Sequence, residues 1–156
     1  MDLILWRHAE AFDAEPDETD LQRTLTPKGQ KQARRMADWL ASQLPEGTRV
    51  LVSPALRTLQ TAEALGRKFK VVPELAPGFG AGDVLRAANW PHAKEPVLVV
   101  GHQPTLGQVA AQLLSGQPQY WEMKKANAWW LVQRDPQDPY SLYLKAVMAP
   151  DLAGKA

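Results

Sequence analysis

The segment Leu3-Ile4-Leu5-Trp6-Arg7-His8-Ala9-Glu10 runs from an apolar stretch directly into an arginine–histidine pair. Neighbouring residues of a strand point to opposite faces, so Arg7 and His8 can address one ligand only if the chain bends after Trp6. Such a bend places both side chains at the carboxyl end of a strand, where open α/β sheets bind their ligands. Taken alone, an Arg-His pair is equally compatible with an ordinary surface loop.

Two later segments repeat the pattern of an apolar strand followed by a basic side chain. The strand ending at Val52 is followed by Arg57 at the opening of a predicted helix, and the strand Val97–Val100 runs through a glycine into His102. A doubly wound sheet gathers such strand ends on one edge. Two arginines and two histidines at that edge form a site suited to a phosphate dianion, because guanidinium groups bind its oxygens in forked geometry.

Strand and helix patterns alternate along the chain, which favours an α/β architecture with a largely parallel sheet. The predicted strands cover residues 3–6, 51–52, 70–72, 97–100, 128–133 and 141–147, and the predicted helices begin after Thr26, after Arg57, near Asp83 and before Leu106. The loop 135–139 is too short for a crossover, so the last two strands should form a hairpin. We therefore predict a three-layer α/β/α fold with a mostly parallel central sheet of about six strands and an antiparallel C-terminal hairpin.

Composition sets limits on the class of protein. A chain of 156 residues, 45% hydrophobic and 22% charged, fits a single domain over residues 1–150, with residues 151–156 as a disordered tail. A formal charge of +1 gives no broad attraction to nucleic acid, and no apolar run is long enough to span a membrane. The absence of cysteine excludes disulfides and thiolate catalysis. We expect a cytoplasmic protein that binds neither nucleic acid nor membrane, with its oligomeric state left open.

The motifs together resemble the histidine phosphatase superfamily, whose fold is the phosphoglycerate mutase-like one. Arg7-His8-Ala9 is similar to the family's Arg-His-Gly signature, Ser53–Thr61 to its Ser-Pro-x-x-Arg-x-x-x-Thr segment, and Gly101-His102 to its second histidine. Arg23–Gly29 resembles a further segment of the small SixA-type phosphohistidine phosphatases. The resemblance covers nearly the whole chain in order. Its one departure is Ala9 in place of glycine, which is harmless only if the backbone φ at that position is negative.

The resemblance implies catalytic roles for His8, Arg7, Arg57 and His102, and a substrate-binding role for Arg23. His8 would attack phosphorus through an unprotonated ring nitrogen, forming a phosphohistidine enzyme intermediate that water hydrolyses. His102 would act as a protonated donor, so the two rings would need well-separated pKa values. This chemistry requires neither a metal nor a cofactor.

Carboxyl groups that could serve as a general acid are few in this sequence. Only Glu74 and Asp83 lie where larger family members place that acid, and Asp83 is better explained as a helix N-cap and Glu74 as a solvated side chain. A phosphohistidine substrate needs a strong acid least, because imidazole is a much less basic leaving group than an alkoxide. We therefore predict a metal-independent phosphatase that hydrolyses phosphohistidine on a phosphoprotein. A phosphatase or mutase for a small phosphate ester, such as a sugar phosphate or phosphoglycerate, and a non-catalytic phosphate-binding module remain open.

Overall fold

The alternation of strands and helices builds one mixed sheet, described by a computed structural model for residues 1–154. The strands are β1 (Asp2–Arg7), β2 (Arg49–Val52), β3 (Lys70–Val71), β4 (Val97–Gly101), β5 (Ala128–Gln133) and β6 (Leu142–Met148). The helices are α1 (Pro27–Gln43), α2 (Leu56–Glu63), α3 (Ala81–Ala87) and α4 (Thr105–Ser115). Short 3-10 turns lie at Asp20–Gln22, Pro73–Leu75 and Pro139–Ser141.

The sheet order over the described residues is β3-β2-β4-β1-β5-β6. The first four strands in this order pair in parallel, β5 pairs antiparallel with β1, and β6 pairs antiparallel with β5. This arrangement confirms the predicted mostly parallel sheet with an antiparallel C-terminal hairpin. It also places β2, β4 and β1 side by side, so that their carboxyl ends share one edge.

The two faces of the sheet carry separate apolar clusters, as the period-two pattern of a strand requires. On β1, Ile4 and Trp6 are fully buried in one cluster, and Leu3 and Leu5 are fully buried in the other. Helices α1 and α2 cover the first face with Met36, Leu40 and Ala62, and α3 and α4 cover the second with Val84, Leu106 and Val109. The three predicted layers are confirmed.

Helix α1 begins as predicted, whereas α3 does not. Thr26 caps α1, because its Oγ1 accepts the Gly29 N–H at 2.9 Å and Pro27 follows at the first helical position. The prediction of Asp83 as the N-cap of α3 is wrong, since the helix begins at Ala81 and Asp83 occupies its third position. From there the Asp83 carboxylate accepts the Gly80 N–H at 2.8 Å. The acid therefore stabilises the helix start from inside its first turn.

The chain beyond β6 turns back on the sheet. The N–H groups of Leu152 and Ala153 both donate to the Ala149 carbonyl at 3.0 Å, and Ala153 packs against the first apolar cluster. Residues 155–156, which belong to the predicted tail over 151–156, lie outside the described residues. In the described part of the chain, no helix combines the length and apolarity needed to cross a bilayer.

Gly29 lets α1 approach the backbone of the segment that follows His8. A Cβ added at Gly29 would lie 1.9 Å from the Glu10 carbonyl oxygen, which itself accepts the Thr26 N–H at 3.0 Å. We expect Gly29→Ala to lower the free energy of unfolding by about 2 kcal/mol, measured by urea titration, because neither backbone can give way cheaply.

Gly47→Ala is the matched control for this substitution. An added Cβ at Gly47 meets its nearest atom, Cγ of Glu95, only at 3.8 Å. The free energy of unfolding of that variant should change by less than about 1 kcal/mol. Equal stability losses in the two variants would contradict the close approach of α1.

Candidate active site

The carboxyl ends of β1, β2 and β4 bring the predicted histidines and arginines to one place. The His8 N–H donates to the Gly101 carbonyl and the Ser53 N–H donates to the Val100 carbonyl, each at 3.1 Å, so the three strand ends are held together by their own backbone. The rings of His8 and His102 lie with their centroids 5.4 Å apart. The predicted convergence of segments that are distant in sequence is present in the structure.

The His8 ring is held in one tautomer by a backbone carbonyl. Its Nδ1 lies 2.7 Å from the Ala9 oxygen, and because a carbonyl can only accept, Nδ1 carries the proton. Nε2 is therefore unprotonated, and it has no hydrogen-bond partner within residues 1–154. The pKa of His8 is lowered to about 4, and burial is the largest cause. The hydrogen bond to Ala9 raises the pKa, whereas the charges of Arg57, Arg7 and Arg23 lower it further. At neutral pH the ring is therefore uncharged and carries a lone pair on Nε2.

Ala9 fits the position where related motifs have glycine. It is fully buried, and its amide donates to Oγ1 of Thr61 at 3.1 Å. Positive φ among the described non-glycine residues occurs only at Asn89 and Ala126, so Ala9 causes no backbone strain. Thr61 is the last residue of the Ser53–Thr61 motif, and its hydroxyl holds the turn after His8 in place.

The two site arginines reach the site from different elements. Arg7 leaves the end of β1 and donates through Nη1 to the Met123 carbonyl at 2.8 Å. Arg57, in the first turn of α2 and only 4% exposed, donates through Nη1 and Nη2 to the Asp20 carbonyl and carboxylate at 2.8 and 2.9 Å. In each guanidinium, Nε is buried without an acceptor among the residues that the structure covers. One buried and one half-buried arginine, each with a buried and unpaired Nε, favour an anion between them.

Asp20 is a site residue that the sequence analysis did not identify. Its carboxylate accepts from Arg57 through Oδ2 at 2.9 Å and from Arg23 through Oδ1 at 3.2 Å, and Arg23 also donates to the Phe12 carbonyl at 2.7 Å. Burial raises the pKa of Asp20, but the hydrogen bonds and charges of the two arginines outweigh it and leave the pKa lowered. Asp20 is thus an ionised acceptor. An entering oxyanion must compete with it for Arg57.

His102 is also neutral, which differs from the expectation of a protonated donor. Its Nε2 lies 2.7 Å from Oγ of Ser53, and its Nδ1 is buried without a partner in the described chain. Burial, and after it the charge of Arg57, lowers the pKa of His102 to about 3. The expectation that the environment separates the two histidine pKa values therefore fails, because desolvation and the same arginines act on both rings.

These lowered pKa values make the folded protein sensitive to acid. The unfolded chain binds protons on His8 and His102 near the ordinary histidine pKa of about 6.5, whereas the folded protein does so only near 4 and 3. Stability is therefore fully present above pH 6.5 and is lost as the pH falls toward these values. We expect His8 to account for a loss of about 3 kcal/mol between pH 7 and pH 4. Urea titrations across this range measure it.

The His8→Gln variant isolates this contribution, because the carboxylates titrate alike in both proteins. Its free energy of unfolding should fall less steeply than that of the wild type between pH 6.5 and 4. Parallel curves for the two proteins would show that His8 is not held neutral by the fold.

The two carboxyl groups predicted as general-acid candidates lie away from the site. Glu74 and Asp83 line a cavity of about 340 Å³ to which Arg7, His8, Arg57 and His102 do not contribute. Asp83 pairs with Arg86 at 2.6 Å, and its hydrogen bond from Gly80 and the charge of Arg86 lower its pKa. Neither residue is placed to protonate a leaving group. Within residues 1–154, no three His, Asp or Glu side chains cluster in a way that could hold a metal ion.

Comparison with known proteins adds independent findings. Residues 3–80 match the family model of the histidine phosphatase superfamily, branch 1. Phosphohistidine phosphatase SixA of Escherichia coli K12 is 37% identical over 129 residues, which cover 75% of this chain and 76% of the relative. A structure of the protein histidine phosphatase SixA complexed with tungstate superposes with a TM-score of 0.77 at 30% identity, covering 97% and 98% of the two chains. A phosphoserine phosphatase from Entamoeba histolytica in complex with 3-phosphoglyceric acid shares the fold, at 15% identity and a TM-score of 0.69.

Proposed function

The chain belongs to branch 1 of the histidine phosphatase superfamily, and from that membership we propose that it hydrolyses phosphohistidine on a phosphoprotein. The observation that carries the proposal is the His8 ring, whose Nδ1 donates to the Ala9 carbonyl while Nε2 is unprotonated and has no partner among residues 1–154. A neutral histidine held in this tautomer near Arg7 and Arg57 is suited to nucleophilic attack on phosphorus.

The proposed reaction proceeds in two displacements at phosphorus. His8 Nε2 forms a bond to phosphorus as the bond to the substrate's imidazole breaks. The departing imidazole keeps the electron pair, and its other ring nitrogen carries a proton taken from solvent, so that it leaves as a neutral ring. Water then attacks the phosphorylated His8, releasing inorganic phosphate and restoring the free ring. Arg7 and Arg57 bind the nonbridging oxygens and hold the phosphoryl group in line. None of these steps uses a metal.

His102 is suited to respond to the arrival of the phosphate. Its pKa is lowered by burial and by the charge of Arg57. A phosphate dianion opposes that charge, so its binding would raise the pKa and favour an imidazolium that donates to an oxygen. The donor role expected from the sequence would then belong to the liganded protein rather than to the free one.

The leaving group favours phosphohistidine over an alkyl phosphate. Asp20 is the carboxylate bound to Arg57 and Arg23, and its lowered pKa makes it an acceptor rather than a proton donor. An alkoxide leaving group requires an acid of the protein to protonate its oxygen, whereas imidazole leaves as a neutral ring once solvent has protonated its other nitrogen. The alternative of a small-ester phosphatase is supported by the fold shared with the phosphoserine phosphatase.

A single-turnover experiment distinguishes these functions. Excess protein is mixed with a phosphohistidine-labelled protein and, separately, with p-nitrophenyl phosphate, and released phosphate is followed over time. Rapid release from the phosphohistidine protein and slow release from the ester supports the proposal. Release from the ester alone supports the small-ester alternative, and release from neither supports a non-catalytic module.

A further inference from the structure

A stripe of basic side chains runs along one side of α1, away from its buried face. Lys28, Lys31 and Arg35 lie at positions i, i+3 and i+7, which superimpose on one side of a helix. The buried residues Ala33, Met36, Ala37 and Leu40 occupy a different side of α1. Core packing therefore does not account for the stripe.

The stripe forms one wall of a groove that leads to Arg7. Two cavities of about 470 and 370 Å³ adjoin, because both are lined by Lys28, Gln32, Lys124 and Lys125. The larger cavity reaches Arg7, and the smaller one reaches Lys31 and Arg35. We call this combined space the basic groove; it lies between α1 and the segment 122–127.

The basic groove carries more positive charge than the chain as a whole. Its lining holds six basic side chains and three acidic ones, a net charge of +3, whereas the chain has a formal net charge of +1. The rest of the molecule is therefore net negative. The chain's excess of positive charge is concentrated in the space next to the catalytic arginine.

Apart from Arg7, which belongs to the catalytic site, three of the five basic groups of the groove form no ion pair within residues 1–154. Lys28 lies 3.9 Å from a Glu10 carboxylate oxygen and Lys124 lies 3.0 Å from one of Glu122. Lys31, Arg35 and Lys125 form no ion pair with any described residue, and Nε of Arg35 is buried without an acceptor. Three uncompensated cations along a concave surface favour an anionic ligand that is extended rather than compact.

We propose that the basic groove binds acidic side chains of the phosphoprotein substrate, next to its phosphohistidine. The inference rests on the proposed function and adds the chemistry by which a substrate protein is selected. Lys28 and Arg35 are about 10 Å apart along the helix axis at 1.5 Å per residue, a length spanned by about three extended residues. A short acidic segment beside the phosphohistidine therefore matches the groove in length and charge.

The test compares two phosphohistidine peptides that differ only in three flanking residues, glutamate in one and glutamine in the other. We expect the wild type to prefer the glutamate peptide by roughly 10-fold in kcat/KM at low salt, and the preference to shrink as salt screens the groove. The double variant Lys31→Glu, Lys125→Glu should lose the preference and still hydrolyse free phosphohistidine at the wild-type rate. Both residues are exposed, so the variant should fold.

Lys68→Glu, Lys94→Glu is the matched control with the same change in net charge. These exposed lysines precede β3 and β4, at the edge of the sheet opposite to the site, and the control should keep the preference. Equal kcat/KM values for the two peptides in the wild type would overturn the proposal. So would a preference that survives in the groove variant, or a groove variant that loses activity on free phosphohistidine as well.

A direct binding measurement distinguishes an error in the groove proposal from an error in the proposed function. If the wild type hydrolyses no phosphohistidine, the proposed function fails, and a fluorescent unphosphorylated glutamate peptide still tests the groove by anisotropy. Binding to the wild type and to the control pair, but not to the groove variant, supports the groove. Binding of a small bisphosphate with no binding of the glutamate peptide would overturn it.

Discussion

Replacing His8 with alanine is expected to lower kcat by at least about 10³-fold, because in the proposed reaction the variant lacks the atom that bonds to phosphorus. The fold keeps this ring neutral and in one tautomer, because the Ala9 carbonyl accepts from Nδ1 and burial lowers the pKa to about 4. Phosphate binding should survive in the variant, since Arg7 and Arg57 remain. The loss should therefore appear in kcat far more than in the affinity for inorganic phosphate or tungstate.

Trapping the intermediate makes this prediction specific. Wild-type protein quenched in alkali during turnover of a ³²P-labelled substrate should carry acid-labile label, and the His8→Ala variant should carry none. His92→Ala is the control, because His92 is exposed and outside the site, and it should label and turn over like the wild type. Equal labelling of the His8→Ala variant would show that another residue is the nucleophile.

Much of the fold was predictable because it depends on local patterns. The unbroken apolar run Leu3, Ile4, Leu5 and Trp6 predicts a strand buried on both faces. The short 135–139 loop leaves only a hairpin for the last two strands. The start of α3 was not predictable in the same way. Its N-cap is Gly80, which has no side-chain oxygen to mark the position, so in sequence the acid at the third position resembles a cap.

The sequence indicates which ionisable side chains form the site, but not the groups to which they donate hydrogen bonds. His8, Arg57 and His102 follow strands whose order on one edge is set by the fold class. The acceptors of His8 and Arg7 are the backbone carbonyls of Ala9 and Met123, and a carbonyl has no signature in sequence. Such partners become visible only with coordinates.

Asp20 escaped prediction for a different physical reason. It meets Arg57 across 37 positions of sequence, while its neighbour Arg23 at i+3 offers a local pair that accounts for its charge. The acidic loop that contains it is otherwise exposed and compatible with simple solvation. The lowered pKa values of both histidines were likewise beyond the sequence, because they depend on how deeply each ring is buried among the arginines.

Replacing Arg57 with lysine should lower kcat/KM by about 10²-fold although the positive charge is kept. Arg57 donates through two separate nitrogens to Asp20, and a tetrahedral anion that displaces Asp20 gains the same fork. An ammonium is a single point of donation and cannot reproduce that geometry. Because the charge that contributes to the low pKa of His8 is retained, the acid limb of the pH–rate profile should stay where it is.

Arg67→Lys is the matched control, since it removes the same kind of fork far from the chemistry. Arg67 donates through Nη1 and Nη2 to the Pro45 and Leu44 carbonyls at 3.0 and 3.2 Å, and its loss should affect stability rather than kcat/KM. Circular dichroism establishes that both variants are folded. Wild-type kcat/KM in Arg57→Lys would mean that positive charge alone suffices at this position. A shifted acid limb would mean that the geometry of Arg57, and not only its charge, sets the pKa of the nucleophile.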